Sequence, residues 1–263
     1  MLNSRLIPTL LISEGDLYKT INFKSPKYVG DPLNTVRIFN EKEVDELIIL
    51  DISSTKNNKE PDWDLISHIS RECRMPLCYG GGLNSLERIE KLISLGVEKA
   101  AIGYAAFNNP EIIKQAIKRV GRQSIVGILD VKKTGINRQY KTMVLNGSLK
   151  TNMNAIEYAK YLEKIGVGEI LLQNIDLDGL MNGFDINLID HIYNNIDVPL
   201  TILGGAGSFE DIRKLVQKFK LIGVAAGSFF IFKGKHRAVL INYPDAKQKD
   251  KVLKNINFDK DLK

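Results

Sequence analysis

The stretch Pro76-Leu-Cys-Tyr-Gly-Gly-Gly-Leu-Asn-Ser85 occurs twice in this chain. An offset of 123 positions (Pro76 to Pro199) superposes it, without a gap, on Pro199-Leu-Thr-Ile-Leu-Gly-Gly-Ala-Gly-Ser208. Gly81 and Gly82 fall on Gly204 and Gly205, Ser85 falls on Ser208, and the register continues through Glu87/Glu210, Ile89/Ile212 and Leu92/Leu215. The same offset carries Glu46-Leu-Ile-Ile-Leu-Asp-Ile onto Glu169-Ile-Leu-Leu-Gln-Asn-Ile. Each copy is a short apolar run, a glycine-rich turn and then apolar residues at helical spacing, which predicts strand, tight turn and helix start. Such a junction offers free backbone N–H groups and a helix dipole to an anion. Two copies suggest a ligand with two phosphates. Glycine also permits tight turns where no anion binds, so the repeat alone leaves both readings open.

Strands are predicted at 6–11, 47–52, 77–79, 100–103, 124–129, 170–173, 200–203 and 222–226. Helices fall between them at roughly 33–43, 62–72, 85–94, 110–119, 154–165, 186–194 and 208–219. Fully apolar strands separated by helices imply a parallel sheet buried on both faces. Eight such units predict a (β/α)₈ TIM barrel, with an open doubly wound sheet as the alternative. Repetition of strands two and three in strands six and seven favours a barrel of two duplicated half-barrels. A single domain over 1–263 is expected, with a basic C-terminal helix or tail from about residue 233. Two connections are long. Residues 13–31, punctuated by Gly15 and Gly30, read as a lid loop on the C-terminal face, and 131–151 read as holding a small hairpin around Asn146-Gly147.

With 44% hydrophobic and 26% charged residues the composition is that of an ordinary soluble globular protein. No apolar run approaches the roughly 20 residues of a membrane span. The opening MLNSRLIPTLLI reads as a first strand rather than a signal peptide. Cys73 and Cys78 give neither a disulfide framework nor metal-ligand spacing, so a cytoplasmic location and no metal are expected. The net charge of +6 gathers late, at Lys233, Lys235, Arg237, Lys247, Lys249, Lys251 and Lys254. That tail lacks the interleaved aromatics of a nucleic-acid module and reads as a solvated face. No nucleic-acid or membrane partner is expected, and a basic balance suits phosphorylated small substrates.

In such a barrel, chemistry sits at the strand C-terminal ends. Asp130, pushed to the rim by an apolar strand with Lys132 two residues on, is the leading acid–base candidate, against an acid satisfied by loop N–H groups or an ion pair. Asp51 also ends a strand and is read as a site residue or as an anchor for the first loop. In Asp176-Leu-Asp178-Gly179, Asp176 reads as a turn former and Asp178 as the site candidate. Ala225-Ala226-Gly227-Ser228 adds a third glycine element at strand eight, beside the phosphate site usual in this fold. At the strand starts stand Arg5, Glu46, Lys99 and Glu169, two cations and two anions ringing the closed end of the barrel. A structural salt-bridge cluster is the plain account, although exposed pairs typically contribute only ~0–1 kcal/mol each.

The pattern Arg5-x-Ile7-Pro8, Gly30-Asp-Pro32, Asp45-Glu-Leu-x-x-Leu-Asp-Ile, Gly80-Gly-Gly, Gly168-Glu-Ile-Leu-Leu, Asp176-x-Asp-Gly179 and Gly204-Gly-Ala-Gly207 closely resembles the cyclase subunit of imidazole glycerol phosphate synthase, through about residue 232. The resemblance implies a half-barrel-duplicated fold and a glutaminase subunit docked on the closed face, sending ammonia through the barrel to the opposite rim. It implies a bisphosphorylated aminoimidazole carboxamide ribonucleotide as substrate and no cofactor. On this resemblance Asp130 and Lys19, on the first loop, are catalytic, Arg5, Glu46, Lys99 and Glu169 form the gate of the ammonia passage, and Gly81, Gly82, Gly179, Gly204, Gly205, Gly227 and Ser228 bind phosphate.

One departure matters most. The family's second catalytic aspartate follows Ile-Pro-x-Leu, and here that position is Leu11, which has no proton to exchange. Gly103-Tyr104 replaces Asn-Thr, with Tyr104 expected to narrow the first phosphate site, and Gln173-Asn174 replaces Thr-Ser. The strings KSPKYVGDP and IFNEKEVDELI resemble a diverged branch associated with amidation of bacterial surface sugars. There, glutaminase-derived ammonia supports acetamidino formation together with an ATP-dependent amidotransferase. Two alternatives stand beside that expectation: a working cyclase in which Glu14 or Asp51 replaces the missing acid, and a non-catalytic scaffold for glutaminase and amidotransferase.

Overall fold

The computed structural model describes residues 4–253. Eight parallel strands form its centre: β1 (Arg5–Ser13), β2 (Leu47–Asp51), β3 (Leu77–Gly80), β4 (Lys99–Ile102), β5 (Ile125–Thr134), β6 (Glu169–Asn174), β7 (Leu200–Leu203) and β8 (Gly223–Ala226). Each pairs with the next, and β8 returns to β1 through Arg5↔Gly223, Leu6↔Val224, Ile7↔Ala225 and Pro8↔Ala226, so the sheet closes. Helices Pro32–Glu41, Trp63–Glu72, Leu86–Ser94, Glu111–Val120, Ala155–Ile165, Ile186–Tyr193 and Phe209–Lys218 lie between successive strands. This is the expected (β/α)₈ barrel.

Alternation along each strand divides the apolar residues into two layers. Ile7, Leu11, Ile48, Leu50, Cys78, Ala101, Val126, Leu171, Leu203 and Ala225 fill the barrel interior. Leu6, Leu10, Leu47, Ile49, Leu77, Ala100, Leu129 and Ile170 belong to the separate layer packed under the helices. Tyr79 belongs to this outer layer and so faces away from the rim it ends on.

The sequence repeat is a repeat of contacts. Leu47 pairs with Leu77 and Ile170 with Leu200, while Leu47 N donates to Pro76 O and Ile170 N to Pro199 O, both at 2.9 Å. Ser85 and Ser208 cap their helices by accepting from Arg88 N (3.3 Å) and Asp211 N (3.1 Å). Gly81 and Gly204 take φ +125° and +99°, and a Cβ there would lie 2.5 Å from Asp51 O and 2.8 Å from Asn174 O. Asp51 and Asn174 are themselves related by the same offset. Close backbone approach therefore demands glycine at both turns, whatever binds there.

The two long connections are more ordered than a loop. Strand β1 runs on to Ser13 and pairs antiparallel with Asp16–Ile21, which pairs with Lys24–Gly30, so the expected lid loop is a β-hairpin. Its Asn22 Nδ2 donates to Ile175 O (3.0 Å) and Asp176 O (2.8 Å), and this docks the hairpin tip on the turn after β6. After β5, Gln139–Val144 and Leu149–Asn154 make the predicted hairpin, with Asn146 and Gly147 in left-handed conformations at its turn. The basic tail is not simply a solvated face. Tyr243 Oη donates to Leu6 O (2.8 Å) and Lys249 Nζ to Asp45 Oδ1 (2.6 Å), which straps the helix Ala246–Leu253 beside the strand starts. Lys247 and Lys251 are exposed, and Lys254 lies outside the described residues. Among the described residues no helix is long and apolar enough to cross a membrane.

A methyl group at Gly81 meets backbone at Asp51 in a conformation that L residues avoid. Gly81→Ala is expected to cost about 1–3 kcal/mol, read as a lower urea midpoint, and Gly204→Ala should cost a similar amount.

Candidate active site

The two ends of the inward strand faces carry different chemistry. At the strand starts, Arg5 Nη2 donates to Glu169 Oε1 (2.7 Å) and its Nη1 to Glu46, while Lys99 Nζ donates to Glu46 Oε1 (2.8 Å) and Glu169 Oε2 (2.9 Å). Thr201 Oγ1 adds a bond to Glu169 at 2.5 Å. Each cation thus bridges both carboxylates in a closed four-membered ring, and both glutamates are buried. Burial opposes charge on Arg5 and Lys99, but the two glutamates outweigh it and raise both cations. Burial likewise pushes Glu169 up, and Lys99 and Arg5 more than reverse it. This is not the exposed pairing worth little. Deleting one member of a buried set leaves an uncompensated charge, at a cost of about 3–5 kcal/mol.

Among the described residues three cavities open at the opposite rim, one of about 240 Å³ lined by Glu14, Asp51, Lys59 and Tyr79 among others, and two that share Leu11 and Gln173. The larger of those two, about 590 Å³, is lined by Gly81, Gly82, Gly103, Tyr104, Asp51, Asp130 and Gln173 among others. Tyr104 forms part of its wall. The smaller, about 30 Å³, is bounded by Gly179, Gly204, Gly205, Gly227, Ser228, Asp178 and Lys19. Leu11 and Gln173 line both cavities and so stand between them.

Asp130 reaches the larger cavity because β5 alternates Val126, Ile128 and Asp130 inward. Its Oδ1 is buried and makes no hydrogen bond among the described residues. The reading of this acid as one satisfied by loop N–H groups or an ion pair therefore fails for that oxygen. Burial first, and then the Asp178 carboxylate, push Asp130 up to about 7. A carboxyl poised near neutral pH can both give and take a proton.

Asp51 accepts from Ser53 N (2.8 Å), Ser53 Oγ (2.8 Å) and Ser54 N (2.9 Å), with Ser54 Oγ on its other oxygen. It orders the turn that follows β2 rather than the first connection. Glu14 pairs with Lys59 at 3.4 Å and lines the 240 Å³ cavity with Asp51, but neither of the two that share Leu11 and Gln173. Asp178 holds the hairpin tip by accepting from Thr20 Oγ1 (2.6 Å) and Phe23 N (3.1 Å), and burial raises it. Asp176 is more than a turn former: its carboxylate accepts from Lys133 N at 2.7 Å and so joins the two rim hairpins.

Lys19 lies on the hairpin, inward and buried, and its ammonium donates to Thr9 O in the small cavity. A Cβ on Gly227 would lie 2.6 Å from that nitrogen, so this glycine makes room for Lys19. Burial brings Lys19 down to about 8, with Asp178 opposing. The sequence reading missed Arg237 by assigning it to the solvated tail. Its Nη1 donates to Gly179 O (3.0 Å) and Nη2 to Ser228 Oγ (3.2 Å), both at the small cavity. Gln173 was noted only as a replacement, and its place between the cavities follows from sharing a strand face with Glu169 and Leu171. Among the described residues no group of three His, Cys, Asp or Glu side chains is arranged to hold a metal.

The native value of Asp130 lies above its ordinary 3.8. The folded state therefore holds this proton more tightly than the unfolded state, and stability falls as pH rises from about 4 through about 7. Asp130→Asn should remove that loss, raising stability at pH 8 by an amount of order 1–4 kcal/mol and leaving it unchanged near pH 3. Urea unfolding at the two pH values checks it.

With the geometry in place, comparison with known proteins gives a consistent answer. The family model described as histidine biosynthesis protein matches residues 5–237. A Vibrio vulnificus protein, provisionally named imidazole glycerol phosphate synthase subunit hisF3, is 52% identical over 253 residues, covering 96% of this chain and 97% of that protein. A Pseudomonas aeruginosa protein, provisionally named subunit hisF2, is 48% identical over 250 residues, covering 95% and 99%. The imidazole glycerol phosphate synthase subunit HisF of Lactococcus lactis subsp. cremoris (strain SK11) is 34% identical over 230 residues, covering 88% and 89%. The chain belongs to the histidine biosynthesis protein family, as a relative of the HisF subunit of imidazole glycerol phosphate synthase.

Proposed function

We propose that this barrel is a synthase subunit that takes ammonia from a glutaminase at its strand starts and delivers it to an acceptor at the opposite rim. The acceptor is a bacterial surface-glycan sugar destined for an acetamidino group, formed together with an ATP-dependent amidotransferase. The observation that carries this reading is the combination of an intact four-charge ring with a rim cavity in which Asp130 is accompanied by Leu11 and Gln173. Between ring and rim the barrel interior is filled by Ile7, Ile48, Cys78, Ala101, Val126 and Ala225, an apolar core through which neutral ammonia would pass more readily than ammonium. Entry requires one cation to leave the ring. Lys99, a point charge on a flexible stem, is the simpler one to swing than the forked Arg5.

Ring closure of the imidazole-pathway bisphosphate asks for two proton-transfer partners in the resembled enzymes. In support of this reading, of the two acids that could replace the second partner, Asp51 is held by its own turn and Glu14 pairs with Lys59 at the surface. A working cyclase is the second reading, favoured by the two glycine turns and by the relatives named as HisF subunits.

Given that bisphosphate and ammonia, the chain should turn over about 10²–10⁴-fold more slowly than a cyclase with both acids, and Leu11→Asp should recover part of the difference. Turnover at the ordinary rate would make the chain a histidine-pathway enzyme. The gate has its own assay. Lys99→Met and Glu169→Gln should lower glutamine-dependent activity relative to activity on free ammonia, and an unchanged ratio would leave the ring a structural device.

A further inference from the structure

Residues 234–237 bring a cation to the small cavity from beyond the last barrel strand. They form the turn of a hairpin between Phe232–Lys233 and Ala238–Val239. Arg237 takes a left-handed φ of +50°, uncommon for a residue with a Cβ, and its N–H closes the turn onto Gly234 O at 3.0 Å. Its guanidinium lies 4.8 Å from the centre of the Phe232 ring. Lys27 of the first hairpin, whose ammonium donates to Arg237 O at 3.1 Å, holds the turn from the other side.

The fork is thereby fixed at the cavity mouth. Its partners there, Gly179 O and Ser228 Oγ, are neutral, and further guanidinium donors remain for an incoming group. Lys19 lines the same cavity, and Asp178 is the carboxylate that feels both cations. Two cations over one carboxylate, beside the glycine turn Gly204-Gly205, match a doubly charged tetrahedral anion better than a neutral group. At about 30 Å³ the cavity has room for little more than a water, so such an anion enters only as Lys19 withdraws from Thr9 O. Arg237, held by stacking and by its turn, keeps its place while Lys19 moves.

We propose that Arg237 is the fixed anion-recognition residue of the second-half site, gripping a phosphoryl group of the substrate through its fork. This rests on the reading of the substrate as phosphorylated. The test is a titration of the full chain with inorganic phosphate, followed by calorimetry and by amide chemical shifts at Gly204, Gly205 and Ser228. Arg237→Gln should weaken phosphate binding at least about tenfold. Arg237→Lys, which keeps the charge and loses the fork, should restore only part of it. If Arg237→Gln binds phosphate as the wild type does, the assignment of Arg237 is wrong while the phosphate site stands. If the wild type shows no phosphate response, the phosphorylated-substrate reading itself falls, and the role of Arg237 with it. Should the Gln variant unfold, wild-type affinity in the Lys variant would equally overturn the role of the fork.

Discussion

Closure of the sheet, Arg5 to Pro8 against Gly223 to Ala226, is the constraint on which the rest depends. Pairing of the last strand with the first leaves the eight-stranded sheet without an open edge. Once closed, each strand has an inward face whose two ends lie at opposite ends of the molecule. On β6 that face reads Glu169, Leu171, Gln173, running from the charged ring to the rim cavities. On β1 it begins at Arg5 and passes Ile7 to Leu11. Ring, apolar interior and rim are thus one set of side chains read along the strands.

The two ends treat buried charge in opposite ways. At the ring every carboxylate oxygen has a partner, and the charged forms of Arg5, Lys99 and Glu169 are favoured despite burial. At the rim Asp130 has an oxygen with no partner, and burial favours its neutral form. A satisfied cluster ties the starts of four strands together, and an unsatisfied buried acid is a place where stability is given up. Leu11 lines the same cavity as Asp130 and offers it no polar partner.

Much of this was legible in the residues. The repeat at an offset of 123, from Pro76 to Pro199, demanded equivalent surroundings for Gly81 and Gly204, and those surroundings are backbone contacts at Asp51 and Asn174. Apolar alternation placed Asp130 inward, and the four charges at strand starts are brought together as their spacing implied. What escaped the sequence was long-range pairing without periodicity. Residues 16–30 carry mixed polar and apolar residues that read as loop, yet β1 supplies an edge for them to pair with. Arg237 looked like one of several tail lysines and arginines, because nothing local says that the chain folds back to Ser228 after Phe232.

The central claim is that nitrogen travels through this barrel without meeting solvent. Isotope tracing tests it directly. The chain, its glutaminase and the sugar amidotransferase would be given amide-¹⁵N glutamine together with an excess of unlabelled ammonium, and the nitrogen in the amidinated product would be measured. Passage through the ring predicts product nitrogen that keeps the glutamine label nearly undiluted, with Lys99→Met letting the label fall toward that of the bulk. Product nitrogen already at the bulk composition with the unaltered chain would show that ammonia escapes to solvent first, and would contradict the account.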